Sequence, residues 1–137
     1  MSDPRAFVSF DFDHNESSRN LFCGQAKKDS PTPFTVQDWS SRSLLAQSNW
    51  KELIEAKIKK ANMVIVLVGK SMSTASGVVA EIAMAKRCNV PVLGVYVDGA
   101  GSTSTLPVGL ARNRTVTWTW ADVAAGIDQC MNEGKNA

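Results

Sequence analysis

The most constraining stretch of this chain is Met-Val-Ile-Val-Leu-Val at residues 63–68, six apolar residues with no polar alternate. A half-buried strand alternates polar and apolar residues, so a continuous apolar run fits a strand covered on both faces in a parallel sheet. Val-Leu-Gly-Val-Tyr-Val at residues 92–97 is a second run of the same kind. Amphipathic helices precede both. Trp50, Leu53, Ile54, Ile58 and Ala61 share one helical face, Lys51, Glu55, Lys59 and Lys60 fall elsewhere, and Asn49 with Glu52 makes a capping-box-like start. The next helix is predicted over residues 75–87, with Val78, Val79, Ile82 and either Ala83 or Ala85 facing inward, and Pro91 bars its continuation.

Weaker signals complete the pattern. Residues 5–12 (RAFVSFDF) and 34–39 read as strands, 16–28 as a helix weakened by Gly24, 115–118 as a fifth strand, and 119–132 as a closing helix with Val123, Ile127 and Met131 inward. Five strands alternating with helices predict an α/β fold: a flavodoxin-like open parallel five-stranded sheet, order 2-1-3-4-5, with helices on both faces. A length of 137 residues predicts a single domain over 1–137. The connection 98–114 is long and rich in Gly, Ser and Thr, so it is expected to be mobile and to act either as a lid or as an assembly surface that becomes ordered on activation.

Charge and cysteine usage narrow the function classes. Fifteen Lys and Arg against thirteen Asp and Glu leave +2, too little to attract nucleic acid or an anionic membrane. Cys23, Cys88 and Cys130 form no C-x-x-C pair, so reduced structural thiols are expected. No apolar run approaches the ~18 residues of a membrane span, and no leader is evident, so a cytoplasmic protein is expected. His14 is the single histidine, which excludes a His-rich metal site.

In open parallel sheets, ligands bind beyond the carboxyl ends of the strands, at the switch between the first and third. That rule nominates residues 11–15, 38–41 and 69–74. Within these segments Asp11, Phe12, Asp13, Trp39, Ser40, Gly69 and Ser71 are candidates for contact with a ligand, joined by Ser76 and Gly77 at the start of the next helix. Asp11 and Asp13 are either ligand-site acids or solvated turn acids that cap a helix. A phosphorelay receiver would need an aspartate after the third strand, where this chain has Gly69 and Lys70. The same loop lacks the spacing of a Walker phosphate loop, because Val64 stands where the first glycine belongs. Trp39 is either a stacking plane at the cleft rim or a packing residue.

Glu81 is the most informative side chain. Its helical neighbours at three and four residues are Gly77, Val78, Met84 and Ala85, so it lacks the ion-pair support that Glu55 can draw from Lys59. Helical side chains lean toward the N-terminus, which aims Glu81 over Gly77 toward the carboxyl ends of the strands. It is either a solvated helix residue or a functional carboxylate.

The segments FVSFDFDHN (7–15), F-x-x-x-D-W ending at Trp39, Asn49-Trp50, MVIVLVG (63–69) and S-x-x-S-G-x-x-A-E ending at Glu81 together resemble the TIR-like family. Their order is most similar to the ThsB subfamily of Thoeris antiphage defence proteins. The resemblance implies that Glu81 is the catalytic glutamate that splits NAD between nicotinamide and ribose. It also implies a cyclic ADP-ribose-type product that acts on a separate effector protein, and a homo-oligomer on activation. NAD would be substrate, with no further cofactor. Ser76-Gly77-Val78 departs from the Ser-x-Trp-Cys common before that glutamate, which changes the nicotinamide pocket. Two alternatives stand beside this: a non-catalytic TIR-like interaction module and a nucleoside deoxyribosyltransferase-like enzyme.

Overall fold

A computed structural model describes residues 5–10, 35–36, 50–69, 76–97, 99–101, 104–107 and 109–133. Among them, β1 (Arg5–Ser9), β2 (Thr35–Val36), β3 (Met63–Val68), β4 (Val92–Tyr96) and β5 (Thr115–Val116) form a sheet in the order β2-β1-β3-β4-β5. Every pairing is parallel. The described helices are α1 (Trp50–Lys60), α2 (Ser76–Arg87) and α3 (Trp120–Glu133). This is the α/β class that alternating strands and helices imply.

The unbroken run in β3 is explained by where its alternate residues go. Val64, Val66 and Val68 pack with Ile54 and Ile58 of α1 and Val78 and Ile82 of α2. Met63, Ile65 and Leu67 pack on the opposite face with Val123, Ile127 and Cys130 of α3. Each face therefore buries its own apolar set, and a polar residue at either parity would sit in a dry core.

Two glycines let elements approach closely. A Cβ on Gly94 would stand 2.7 Å from Thr115 Oγ1 and 2.8 Å from Leu110 Cδ2, so the gap in β4 seats Leu110. A Cβ on Gly126 would stand 2.6 Å from Leu93 Cδ1, so α3 rests directly on β4.

Several expectations are corrected. β1 ends at Ser9, β4 at Tyr96 and β5 at Val116, each earlier than the residue patterns implied. Val79 and Leu53 are half-buried, whereas Met131 packs against the core on the α3 side as expected, and the choice between the two alanines of α2 falls to Ala85, which is buried while Ala83 is exposed. The helix expected over 16–28 lies outside the described residues.

In the connection before β5, residues 98, 102, 103 and 108 lie outside the described residues. Its described part is packed: Leu110 and Pro107 are buried, and Leu106 lies against the α1–α2 core. Arg112 donates to Tyr96 Oη at 3.2 Å and to the Ser104 carbonyl at 2.6 Å, and Arg114 Nε donates to the Val92 carbonyl at 2.7 Å. Three apolar residues and two arginines hold this described part against the sheet and its helices. No described helix is long and apolar enough to cross a membrane.

Candidate functional site

Ser9, Asn62 and Glu81 are the polar side chains buried among the described residues. Asn62 has a backbone reason: its Oδ1 accepts the Arg5 N–H at 2.7 Å, and its own N–H donates to the Arg5 carbonyl at 2.8 Å. Among the described residues, the side chains of Ser9 and Glu81 pair with each other. The Ser9 hydroxyl donates to Glu81 Oε1 at 2.8 Å, joining residues 72 apart in sequence.

The topology brings them together. Ser9 is the last residue of β1, opposite Val66 in β3, and strand alternation puts it on the same face as Phe7, the face that α1 and α2 cover. Glu81 is in the second turn of α2, which enters from the carboxyl side of the sheet, and its lean toward the helix N-terminus returns the carboxyl to the end of β1. Both side chains thus stand at the end of the sheet where parallel α/β folds bind ligands.

The electrostatics of the two described glutamates of the α1–α2 layer that have perturbed acidity are opposite in sign. Glu81 is pushed up to about 8 by burial, with the Ser9 hydrogen bond opposing that rise. No ion pair to Glu81 forms among the described residues. Glu55 on α1 is held below the usual carboxylate range, chiefly by the hydrogen bond from Arg87, whose guanidinium approaches to 2.6 Å. At neutral pH burial therefore favours the neutral acid at Glu81, while Glu55 is a charged, ion-paired carboxylate.

Of the residues nominated from the sequence, the structure places Gly69 buried just beyond β3, and Ser76 and Gly77 as the first two backbone positions of α2, one turn before Glu81. These four positions lie toward the carboxyl side of the sheet. Asp11, Phe12, Asp13, Trp39, Ser40 and Ser71 lie outside the described residues. Ser9 went unnominated, although it carries a readable signal: it is a hydroxyl on the inward parity of a strand whose previous inward residue is Phe7.

Elsewhere, a cavity of about 350 Å³ opens near the amino ends of β4 and β5, between Lys86, Asn89, Pro91, Gly109, Arg114 and Glu133. Arg114 there is committed to Glu133, 2.7 Å away, and to the Val92 carbonyl, so the cavity wall is structural rather than a free cation. Cys130 beside it is pushed up to about 11, mainly by burial, which keeps the thiol protonated and unreactive.

Over residues 7–102 the chain matches the family described as Thoeris protein ThsB, TIR-like domain. No curated protein matches it. The crystal structure of the IL-17 receptor B SEFIR domain is similar in fold, with a TM-score of 0.65 at 11% identity, over 97% of this chain and 98% of that one. At that identity the likeness speaks to the fold alone.

Proposed function

The chain belongs to the Thoeris protein ThsB TIR-like domain family, and from that premise we propose that it cleaves the nicotinamide–ribose bond of NAD and forms a cyclic ADP-ribose-type signal in antiphage defence. One observation carries this reading: a glutamate buried at the carboxyl end of β1, with a serine hydroxyl as its described partner and no counter-ion among the described residues. Such a carboxyl is poorly placed for stability and well placed for a cationic ligand.

The chemistry needs little more. Nicotinamide leaves NAD from a pyridinium, taking the electron pair of the C1′–N bond and departing neutral, so no general acid is required. Positive charge develops on the ribose C1′ and ring oxygen, and an ionised Glu81 beside it stabilises that charge most where water is excluded. A pyridinium in the site also favours the ionised carboxyl, so the Glu81 proton passes to solvent as the substrate binds. Attack on C1′ by water gives ADP-ribose. Attack by an atom of the adenine or its ribose gives the cyclic product, and a separate effector protein receives it.

Incubation with NAD and, in parallel, with deoxynucleosides, read by product mass spectrometry, tests the assignment. Nicotinamide release by the assembled wild type that disappears in Glu81→Gln supports it. Base exchange on deoxynucleosides with NAD untouched indicates a deoxyribosyltransferase instead. An assembled protein that turns over neither is an interaction module.

A further inference from the structure

Resting on that reading, we propose that Ser9 is a positioning residue of the same site, whose hydroxyl holds the Glu81 carboxyl in the orientation the reaction needs. The strand position itself gives no reason for a serine. Ser9 is 1% exposed, follows Phe7 on the inward face and stands opposite Val66, surroundings in which alanine or valine would pack without a hydroxyl to satisfy. Its described side-chain hydrogen bond goes to Glu81 Oε1.

The two partners differ in freedom. Ser9 has a single side-chain torsion with a heavy atom at its end, and its backbone is held in the ladder with β3, whose pairing with β1 runs from Ala6 to Ser9. Glu81 has three torsions. The serine is therefore the fixed point and the glutamate the group that is fixed. A hydroxyl also suits this task in both protonation states, donating to the carboxylate and able to accept from the neutral acid, and the bond to the ionised form is the stronger one.

Other charges do not take over this role among the described residues. β3 has no titratable side chain, and Arg5 of β1 stands at the opposite end of the strand. Tyr96 of β4 is engaged by Arg112, and Glu55 of α1 by Arg87 of α2. Glu52 of α1 and Lys86 of α2 are exposed.

The test uses Ser9→Ala, Ser9→Thr and Glu81→Gln in the full chain. A melt at pH 5, where Glu81 is neutral, first establishes that each variant folds. In initial rates of NAD cleavage across pH, Ser9→Ala should lower kcat by roughly 10- to 100-fold, the scale of one hydrogen bond to a charged group, with KM within about 2-fold. Its acid limb should move to higher pH, and Ser9→Thr should restore both. A second readout needs no turnover: from pH 6 to 9 the melting temperature of Ser9→Ala should fall further than that of the wild type, because the bond that favours ionised Glu81 is gone, while Ser9→Thr should follow the wild type. Wild-type kcat, pH profile and melting curve in Ser9→Ala, with Glu81→Gln inactive, overturn the role of Ser9 and leave the NAD reading standing. If the wild type itself does not cleave NAD, that reading fails, and the melting curves alone decide whether Ser9 governs Glu81.

Discussion

Two glutamates on neighbouring helices, Glu55 and Glu81, show how differently one fold can treat the same side chain. Glu55 lies where a carboxylate belongs: partly in water, hydrogen-bonded by Arg87, with Lys59 one turn on. Its ion pair is screened and contributes little. Glu81 is 5% exposed, with a neutral hydroxyl for company and an ionisation displaced to about 8. Forcing it to ionise in the folded protein costs on the order of 5 kcal/mol, similar to the whole stability of many small domains. A residue of that kind does not hold the fold together. The comparison teaches that the α1–α2 seam carries a screened ion pair at its outer rim and a buried carboxyl hydrogen-bonded to Ser9 at its inner end, the end where we propose the chemistry.

The sharpest way to break this contrast is to remove the carboxyl. Glu81→Gln keeps the shape and should abolish nicotinamide release from NAD, a loss of at least about 100-fold on the scale of electrostatic groups at a reacting centre. Its melting temperature at pH 7 should match or exceed that of the wild type. A variant with wild-type turnover under activating conditions would refute the catalytic assignment.

The next effect lies in pH dependence. The folded-state acidity of Glu81 is shifted upward, so the stability it permits is fully present below about pH 4.5 and is lost as pH rises through about 8. Thermal melts should therefore show the wild type losing roughly 10 °C more than Glu81→Gln between pH 6 and 9. Parallel curves would place Glu81 in water rather than in the core.

A purely apolar site sets the scale against which that slope is read. Leu110→Ala empties the seat left by Gly94 and should cost about 2 to 4 kcal/mol in denaturant unfolding at every pH. A cost near zero would mean that the connection before β5 is loosely held after all. The smallest effect belongs to the other member of the comparison: Glu55→Gln should move the melting temperature by no more than about 2 °C at moderate salt, with NAD cleavage unchanged.

How much of this was legible in the sequence follows from the range of the forces involved. The runs at 63–68 and 92–97 and the three described helices were readable to within a residue or so, because local periodicity reports burial on both faces or on one. Glu81 stood out for a local reason too, the lack of any partner one turn away. Ser9 did not, because its significance is the meeting of β1 with α2 across 72 residues, and no local window contains it. The seat of Leu110 was hidden for a related reason: composition averages over a segment, whereas Leu110 acts through one contact with a gap in another strand. The nominated residues at 11–13, 39–40 and 71 lie outside the described residues, so the comparison rests on Glu81, Ser9 and the backbone around them.

The central claim, that the fold holds Glu81 as a buried, reluctantly ionised carboxyl, is tested most directly by following its side-chain carbonyl in carbon-13 NMR of glutamate-labelled protein, with Glu81→Gln identifying the resonance. A single resonance that titrates near pH 8 and is absent from the variant is the expected result. A Glu81 resonance that titrates between about pH 4 and 5, like an ordinary surface glutamate, would contradict it.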